Sequence, residues 1–440
     1  MTRQRIGLVA GEYPPQEGGL GDYTRELARA LLARGHDVWV VTAGERTTDH
    51  RPPTTEASST GPSPLAPGHS QDLPLPSPLP PSPRTRGDQL AEPERGERRE
   101  PRVLRVVARW DWGAWPTLRR VLEGVDIVHL QYQTAAYSMH PVANALPWLI
   151  RRLGFSTRQP RVVTTYHDTR IPYLFPKAGR IRDWATDAPA RWSDLTIVTN
   201  PADRARLLPV ARRLRLIPIG SNIDVTADPA RRRDYRARWG IGDATPLLVY
   251  FGFVNRAKGA DTLMQALARL RATGLAAQLL MLGGQVGASD PTNQAFLAEV
   301  RALADSLGVT EAVAWTGFLP EAEVSEALTA ADVAALPYRE GVSLQRGTLM
   351  AALAHGLAIV TTRPPSAPPA DDVPSLVDDV NAILVPPDDP CALADAVARL
   401  WADPARRARL GEGARGLSAA FGWGRIAEQH EAAYHDLSWA

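Results

Sequence analysis

The sequence predicts an α/β protein built from two doubly wound, parallel-sheet (Rossmann-like) domains facing a central cleft. Three observations predict it. Short β-rich apolar runs alternate with helical patterns along most of the 440 residues, the series restarts after Arg215-Leu-Ile-Pro-Ile-Gly220, and the strand candidates end in polar residues. Alternating β and α units cover both faces of a parallel sheet, and such sheets bind ligands at the carboxyl ends of their strands.

The elements follow in order. Residues 6–10 read as a strand, and 23–34 as a helix with Leu27, Ala30 and Leu31 on one face and Gly35 as its C-cap. Residues 37–42 complete the βαβ unit. From about 45 to 101 the composition turns to Pro, Ser, Thr, Gly and Arg, centred on Pro74-Leu-Pro-Ser-Pro-Leu-Pro-Pro-Ser-Pro83. That stretch has no apolar period and is expected to be a disordered insertion, tolerated because closure entropy grows slowly with loop length. Further strands are expected at 126–130, 161–166 and 195–199. The second series is expected at 247–251, 278–282, 312–316, 333–337, 359–362 and 382–385, with intervening helices marked by Leu263, Leu267 and Leu270 or by Val324, Ala327 and Leu328. The domains are therefore 1–220 and 221–420, with a final helix in 421–440 packing back on the first domain.

Composition narrows the function classes. A chain with 44% hydrophobic and 22% charged residues buries a large core, and a formal net charge of +2 leaves no basic stripe for nucleic acid. The single cysteine, Cys391, excludes an internal disulfide and a cysteine-based metal cluster. No stretch approaches the roughly 20 apolar residues that cross a bilayer, and the run at 6–10 is too short for a signal-peptide core. A cytoplasmic location is expected. The basic, apolar segment Leu146-Pro-Trp-Leu-Ile-Arg-Arg152 is compatible with peripheral contact at the inner membrane face, or with a buried helix carrying solvated arginines.

Four runs carry chemistry. Pro14-Pro-Gln-Glu-Gly18-Gly19-Leu-Gly21-Asp22 lies between strand and helix, where glycines let backbone N–H groups approach a ligand; a tight structural turn is the alternative. The chain holds only two lysines, Lys177 and Lys258, among dozens of arginines. A compact ammonium at the strand-to-helix turn Asn255-Arg256-Ala-Lys258-Gly259 suggests an anion partner, with a solvated turn residue as the alternative. In Glu340-Gly341-Val342-Ser343-Leu344-Gln-Arg-Gly347-Thr348, a carboxylate before a glycine can grip sugar hydroxyls. The N–H groups opening the next helix can cradle a phosphate, whereas a mere helix cap is the bland reading. Thr164-Thr-Tyr-His167-Asp168 ends a strand. His167 either contacts substrate or is a satisfied core histidine, and His129 reads as a residue supporting it from behind.

Together these runs resemble glycosyltransferase family 4, the retaining, nucleotide-sugar-dependent enzymes of the GT-B fold, over nearly the whole chain outside the proline-rich insertion. The glycine loop with Arg34-Gly-His36, the strand-end His167, Lys258 in Ala-Lys-Gly and Glu340 in Glu-Gly are similar to the family's motifs. Two departures stand out. The family commonly places an arginine directly after the glycine ending the first strand of the second domain, but Gly252 is followed by Phe253, which leaves Arg256 as the substitute. The family's second glutamate, read as a ribose ligand, is missing; counting gives Thr348 and aligning the helix gives Ala351.

The resemblance implies transfer of a sugar from a nucleotide-diphosphate sugar to an acceptor hydroxyl with retained configuration, without a cofactor or metal clamp. In that picture the diphosphate leaves toward Arg256, Lys258, Ser343 and Leu344. His167 and Glu340 are catalytic, Gly18, Gly19, Gly21, Gly341 and Val342 line the donor-sugar side, and Thr348 stands at the ribose. The acceptor is a glycan, a lipid-linked sugar or a small molecule. A nucleotide-sugar epimerase of similar fold and a non-catalytic sugar-nucleotide binder are the alternatives.

Overall fold

The computed structural model describes residues 3–16, 18–44, 100–155, 158–169, 179–283, 291–364 and 374–438. The proline-rich run at 45–99, Lys177 and most of the segment before it lie outside the described residues.

Both expected sheets are present and every strand pairing within them is parallel. The first domain runs β1 (Arg5–Ala10), α1 (Gly19–Ala33), β2 (Asp37–Ala43), β3 (Arg102–Val107), α2 (Ala114–Val121), β4 (Ile127–Tyr132), α3 (Val142–Leu153), β5 (Arg161–Tyr166), α4 (Arg180–Trp192), β6 (Leu195–Val198), α5 (Pro201–Leu207) and β7 (Leu214–Leu216). Its strand order is β3-β2-β1-β4-β5-β6-β7, so the direction of winding reverses between β1 and β4. The second runs α6 (Arg232–Ala237), β8 (Leu247–Phe251), α7 (Ala260–Ala272), β9 (Gln278–Leu282), α8 (Pro291–Ser306), β10 (Val313–Trp315), α9 (Glu321–Ala330), β11 (Val333–Leu336), α10 (Gly347–Ala354), β12 (Ala358–Thr362), β13 (Ile383–Val385), α11 (Pro390–Ala402) and α12 (Pro404–Ser418). Its order, β10-β9-β8-β11-β12-β13, reverses between β8 and β11.

Burial explains the strand composition. Strands covered by helices on both faces read as continuous apolar runs, as in β8 (Leu-Leu-Val-Tyr-Phe) and β4, all six of whose residues are buried. Each sheet has a core layer on either face. In the second domain Leu248, Tyr250 and Met281 point to one layer and Leu247, Val249 and Leu280 to the other, the period-two alternation of a strand.

The last helix, α13 (Trp423–Ser438), follows second-domain residues but packs in the first-domain core, where Ile426, Ala427, Ala433, Tyr434 and Leu437 meet Ile6, Leu8, Leu27 and Leu31. Polar contacts fix its register. Glu431 accepts from Arg34 Nε at 2.6 Å and lies 3.3 Å from His36 Nε2, so Arg34-Gly-His36 anchors the C-terminal helix. Tyr434 bonds His129 Nδ1 at 2.7 Å, and Trp423 donates to the Ser221 carbonyl at 2.6 Å where the two connecting segments meet. His129 also bonds Thr165 at 2.7 Å, so it is a core residue joining β4, β5 and α13.

His430 on α13 donates from Nδ1 to the Ile426 carbonyl, and burial depresses its pKa to about 4. The unfolded chain binds this proton near pH 6.5 and the native state near 4, so stability is lost as pH falls through that window. At pH 5 the loss from this one histidine is about 2 kcal/mol. Chemical denaturation at pH 7 and pH 5 checks this. His430→Gln should flatten the pH dependence by one proton while lowering stability at pH 7.

Candidate active site

The glycine loop, the lysine turn and the Glu340 loop sit at the two winding reversals, and His167 lies one strand further on, after β5. In the second domain the loop after β8 carries Lys258 and the loop after β11 carries Glu340 through Arg346, so the two flank the β8/β11 switch point where open α/β sheets bind ligands. Gly259 makes the first turn possible. Its φ is +68°, and a Cβ there would lie 2.1 Å from the Pro337 carbonyl oxygen, so the Lys258 turn presses directly on the end of β11. Arg339 then donates its backbone N–H to the Ala257 carbonyl at 2.9 Å, stitching one loop to the other.

Lys258 points back over the end of β8. A Cβ on Gly252 would lie 2.6 Å from Lys258 Nζ and 2.8 Å from the Thr348 methyl, so ammonium and methyl share the space above that glycine. Burial lowers the Lys258 pKa to about 8, and the neighbouring Arg346 guanidinium adds to the shift. Arg346 lies over the Tyr338 ring at 5.1 Å, with Glu340 Oε2 3.7 Å from its Nη2. Tyr338 in turn bonds the Thr348 hydroxyl at 2.8 Å. The result is a desolvated ammonium and a guanidinium side by side at the start of α10, an arrangement suited to a diphosphate.

Arg346 was not singled out in the sequence; Arg256 was. The structure separates Arg256 from this pair: its Nη2 contacts both oxygens of Glu299 at 2.7 and 2.8 Å, and its guanidinium lies over Phe296. An exposed cation matched by its own carboxylate has little charge left for a ligand, and Arg346 occupies the place assigned to Arg256. The signal lay in the sequence, in a cation immediately before the helix that opens opposite the lysine turn.

The remaining loop residues divide. Ser343 organises the turn, its Oγ accepting from the Gln345 N–H at 3.3 Å and its carbonyl from the Arg346 N–H at 3.1 Å. Leu344 packs partly buried on the core, while the amides of Gly341 and Val342 donate to Tyr338 and Thr362 carbonyls. Glu340 keeps a largely exposed side chain at the mouth. Ala351 is fully buried inside α10, leaving Thr348 as the residue nearest the lysine.

Across the cleft, His167 ends β5. Its Nε2 is 3.0 Å from Gln131 Oε1 and its ring meets the edge of Tyr23 at 4.6 Å between centroids. Burial, reinforced by His430, lowers its pKa to about 3, so the imidazole stays neutral at physiological pH. Gln131 is fully buried and its Nε2 has no partner among the described residues.

The glycine loop differs from expectation in one respect. Glu12, at the end of β1, turns back so that its Oε1 accepts the Leu20 N–H at 3.2 Å and its carboxylate lies against Gly18. The start of α1 is thus capped by the chain's own carboxylate, which burial holds above the usual carboxylate range. Gly19 opens onto free space, Gly21 lies against the Tyr13 backbone, and Asp22 accepts from Asn222 of the interdomain connection at 3.0 Å.

Comparison with known proteins agrees with this geometry. The Glycosyltransferase Family 4 profile matches residues 17–225, and the Glycosyl transferases group 1 profile matches 245–403. A GDP-mannose-dependent alpha-(1-6)-phosphatidylinositol monomannoside mannosyltransferase of Mycolicibacterium smegmatis is 32% identical over 309 residues, 68% of this chain and 73% of that protein. The chain belongs to glycosyltransferase family 4. Among other relatives of this family 4 member, the D-inositol 3-phosphate glycosyltransferase of Xylanimonas cellulosilytica is 34% identical over 228 residues, a match spanning about half the length of each protein (49%). Its GT-B architecture is shared with sucrose-phosphate synthase from Thermosynechococcus elongatus (TM-score 0.64, 24% identity, 99% of both chains). Anabaena HepE in complex with UDP-glucose shares it too (TM-score 0.66, 15% identity, 99% of this chain and 100% of that one).

The cation pair sets two expectations for nucleoside-diphosphate affinity, measured by calorimetry. Arg346→Ala should weaken binding about tenfold or more, the worth of a charged hydrogen bond, while Arg256→Ala should stay within about twofold. As pH rises through 8, Lys258 loses its proton and affinity should fall by about tenfold per pH unit. Lys258→Arg should abolish that pH dependence, because a guanidinium stays charged.

Proposed function

We propose that this protein transfers a sugar from a nucleotide-diphosphate sugar to an acceptor hydroxyl with retention of anomeric configuration. The observation that carries the reading is the Lys258–Arg346 pair at the switch point of the second sheet, facing a neutral His167 at the edge of the first. Named relatives support it: all those cited from sequence are glycosyltransferases, one of them GDP-mannose-dependent.

The geometry divides the labour as follows. As the C1–O bond to the diphosphate breaks, the bonding pair leaves with phosphate oxygen, and negative charge grows beside Lys258 and Arg346, which stabilise it without reorganising. Positive charge grows on the sugar ring at the same time. A protonated histidine there would oppose it, so the buried, neutral imidazole of His167 suits that wall of the site. The acceptor hydroxyl enters from the first domain on the face the diphosphate leaves, and its proton passes to the departing phosphate oxygen. Glu340, at the mouth beside Arg346, is placed to orient donor-sugar hydroxyls, and the nucleotide sugar is the only co-substrate the reaction requires.

Action at a membrane face fits the same reading. No helix among the described residues is long and apolar enough to cross a membrane. On α3, Leu146, Leu149 and Ile150 are buried while Trp148 and Leu153 are exposed, with Arg152 over Trp192 alongside. Tryptophan and arginine together favour the headgroup region of anionic lipid. Co-sedimentation with anionic vesicles should fall several-fold in Trp148→Ala/Leu153→Ala.

The direct test screens nucleotide sugars by thermal shift and follows the stabilising donor by NMR for product configuration. Lys258→Ala should reduce donor turnover at least a hundredfold with its melting temperature within a few degrees of wild type. Undiminished turnover, or an inverted product, would remove the reading.

A further inference from the structure

Gln345 stands between the loop that holds the cation pair and the wall that holds His167. It follows Leu344 and precedes Arg346 in the β11–α10 loop, yet its side chain leaves the second domain. Gln345 Nε2 donates to Thr199 Oγ1 at 2.7 Å and lies 3.4 Å from the His167 carbonyl oxygen. Thr199 follows β6 and His167 follows β5, so one carboxamide spans two adjacent strand ends of the opposite sheet. Thr199 is itself buried, and its hydroxyl reaches the Tyr166 carbonyl at 3.5 Å, which fixes the acceptor of the shorter bond.

We propose that Gln345 is a positioning residue that couples closure of the cleft to assembly of the site, by joining the Arg346 loop directly to the strand ends that carry His167 and Thr199. The inference rests on the transferase reading only for its consequence in turnover; the bridge itself is independent of any substrate.

The physical argument has two parts. First, both described contacts of the carboxamide nitrogen cross between domains, so opening the cleft by even a few ångströms breaks them and returns both partners to water. A neutral hydrogen bond of this kind biases an open–closed equilibrium by about five- to tenfold. Second, the Ser343 turn holds the backbone on either side of Gln345 from within the second domain, so the Arg346 guanidinium keeps its place whether or not the bridge is made, and the bridge sets only how His167 stands relative to it. Two other interdomain contacts, Arg25 with Glu321 and Asn222 with Asp22, hold α1, so among the described residues the strand ends of β5 and β6 are joined to the Arg346 loop through Gln345.

The test compares full-length wild type, Gln345→Ala, Thr199→Val and the double variant. Gln345→Ala and Thr199→Val should each lower kcat for donor turnover about five- to tenfold, with nucleoside-diphosphate affinity within about twofold because that ligand is held by the second domain. The double variant should be no slower than the slower single, since both remove one contact. Small-angle X-ray scattering should show a larger radius of gyration for Gln345→Ala than for wild type. Wild-type kcat in Gln345→Ala, multiplicative losses in the double variant, or loss of diphosphate affinity in parallel with kcat would overturn the proposal. Should wild type turn over no nucleotide sugar, the transferase reading fails separately, and an unchanged radius of gyration in Gln345→Ala then overturns the bridge on its own.

Discussion

Two like charges held close together and partly shielded from water are the constraint on which the candidate site depends. The Arg346 guanidinium adds to the lowering of the Lys258 pKa, and the structure around them keeps both in place: Gly259 under Pro337, the Ser343 turn and the Tyr338 ring beneath the guanidinium. In a protein interior such repulsion is poorly screened and persists until an anion arrives. An anion placed between the two cations would relieve that repulsion, which is the physical basis of the diphosphate reading. The topology allows this, because at the β8/β11 reversal the helices that follow, α7 and α10, pack on opposite faces of the sheet.

The opposite wall follows from a different constraint, the return of α13 to the first domain. That helix seals the lower layer of the first sheet and brings His430 beside Tyr23, whose ring edge in turn meets His167. His129 and His430 are thereby enclosed in one apolar layer with the partly buried His167 at its edge, and all three have depressed pKa values that keep them neutral at physiological pH. The fold thus sets two neighbouring cations on one side of the cleft against a neutral imidazole on the other, and the difference between them is set by packing.

Much of this was legible in the sequence. The strand runs at 161–166, 247–251 and 278–282 coincide with the observed strands because continuous apolar runs between turn signals describe doubly covered parallel strands. Edge strand β3, with the pattern Arg-Val-Leu-Arg-Val-Val, was not identified, since it follows the proline-rich run and is only partly buried. Lys258, Glu340 and His167 were legible as candidates from their turns. Arg346 and Gln345 were not, because a side chain reaching across a loop or a cleft leaves no periodic trace. Arg256 lies apart from the pair for a related reason: its distance from Lys258 along the chain is short, but a 3₁₀ turn directs it toward α8 and Glu299. Glu12 belongs with these. A carboxylate one residue beyond a strand-ending glycine caps α1 only once the loop has folded back on it.

The missing second carboxylate can be understood from the same charges. Thr348 occupies its counted position, with its methyl beside the space that Lys258 Nζ fills and its hydroxyl on Tyr338. A glutamate there would stand within ion-pair reach of the ammonium and close to the guanidinium stacked on Tyr338. Such a carboxylate would raise the lysine pKa and neutralise part of the field that a diphosphate meets. With a threonine, both cations remain available, and the exposed Glu340 at 3.7 Å from Arg346 offsets them in part at the mouth. A donor held by this pair would be gripped by its anionic part more than by its neutral ribose hydroxyls, so its affinity should be more salt-dependent and less sensitive to the sugar ring of the nucleotide than at a carboxylate-bearing site.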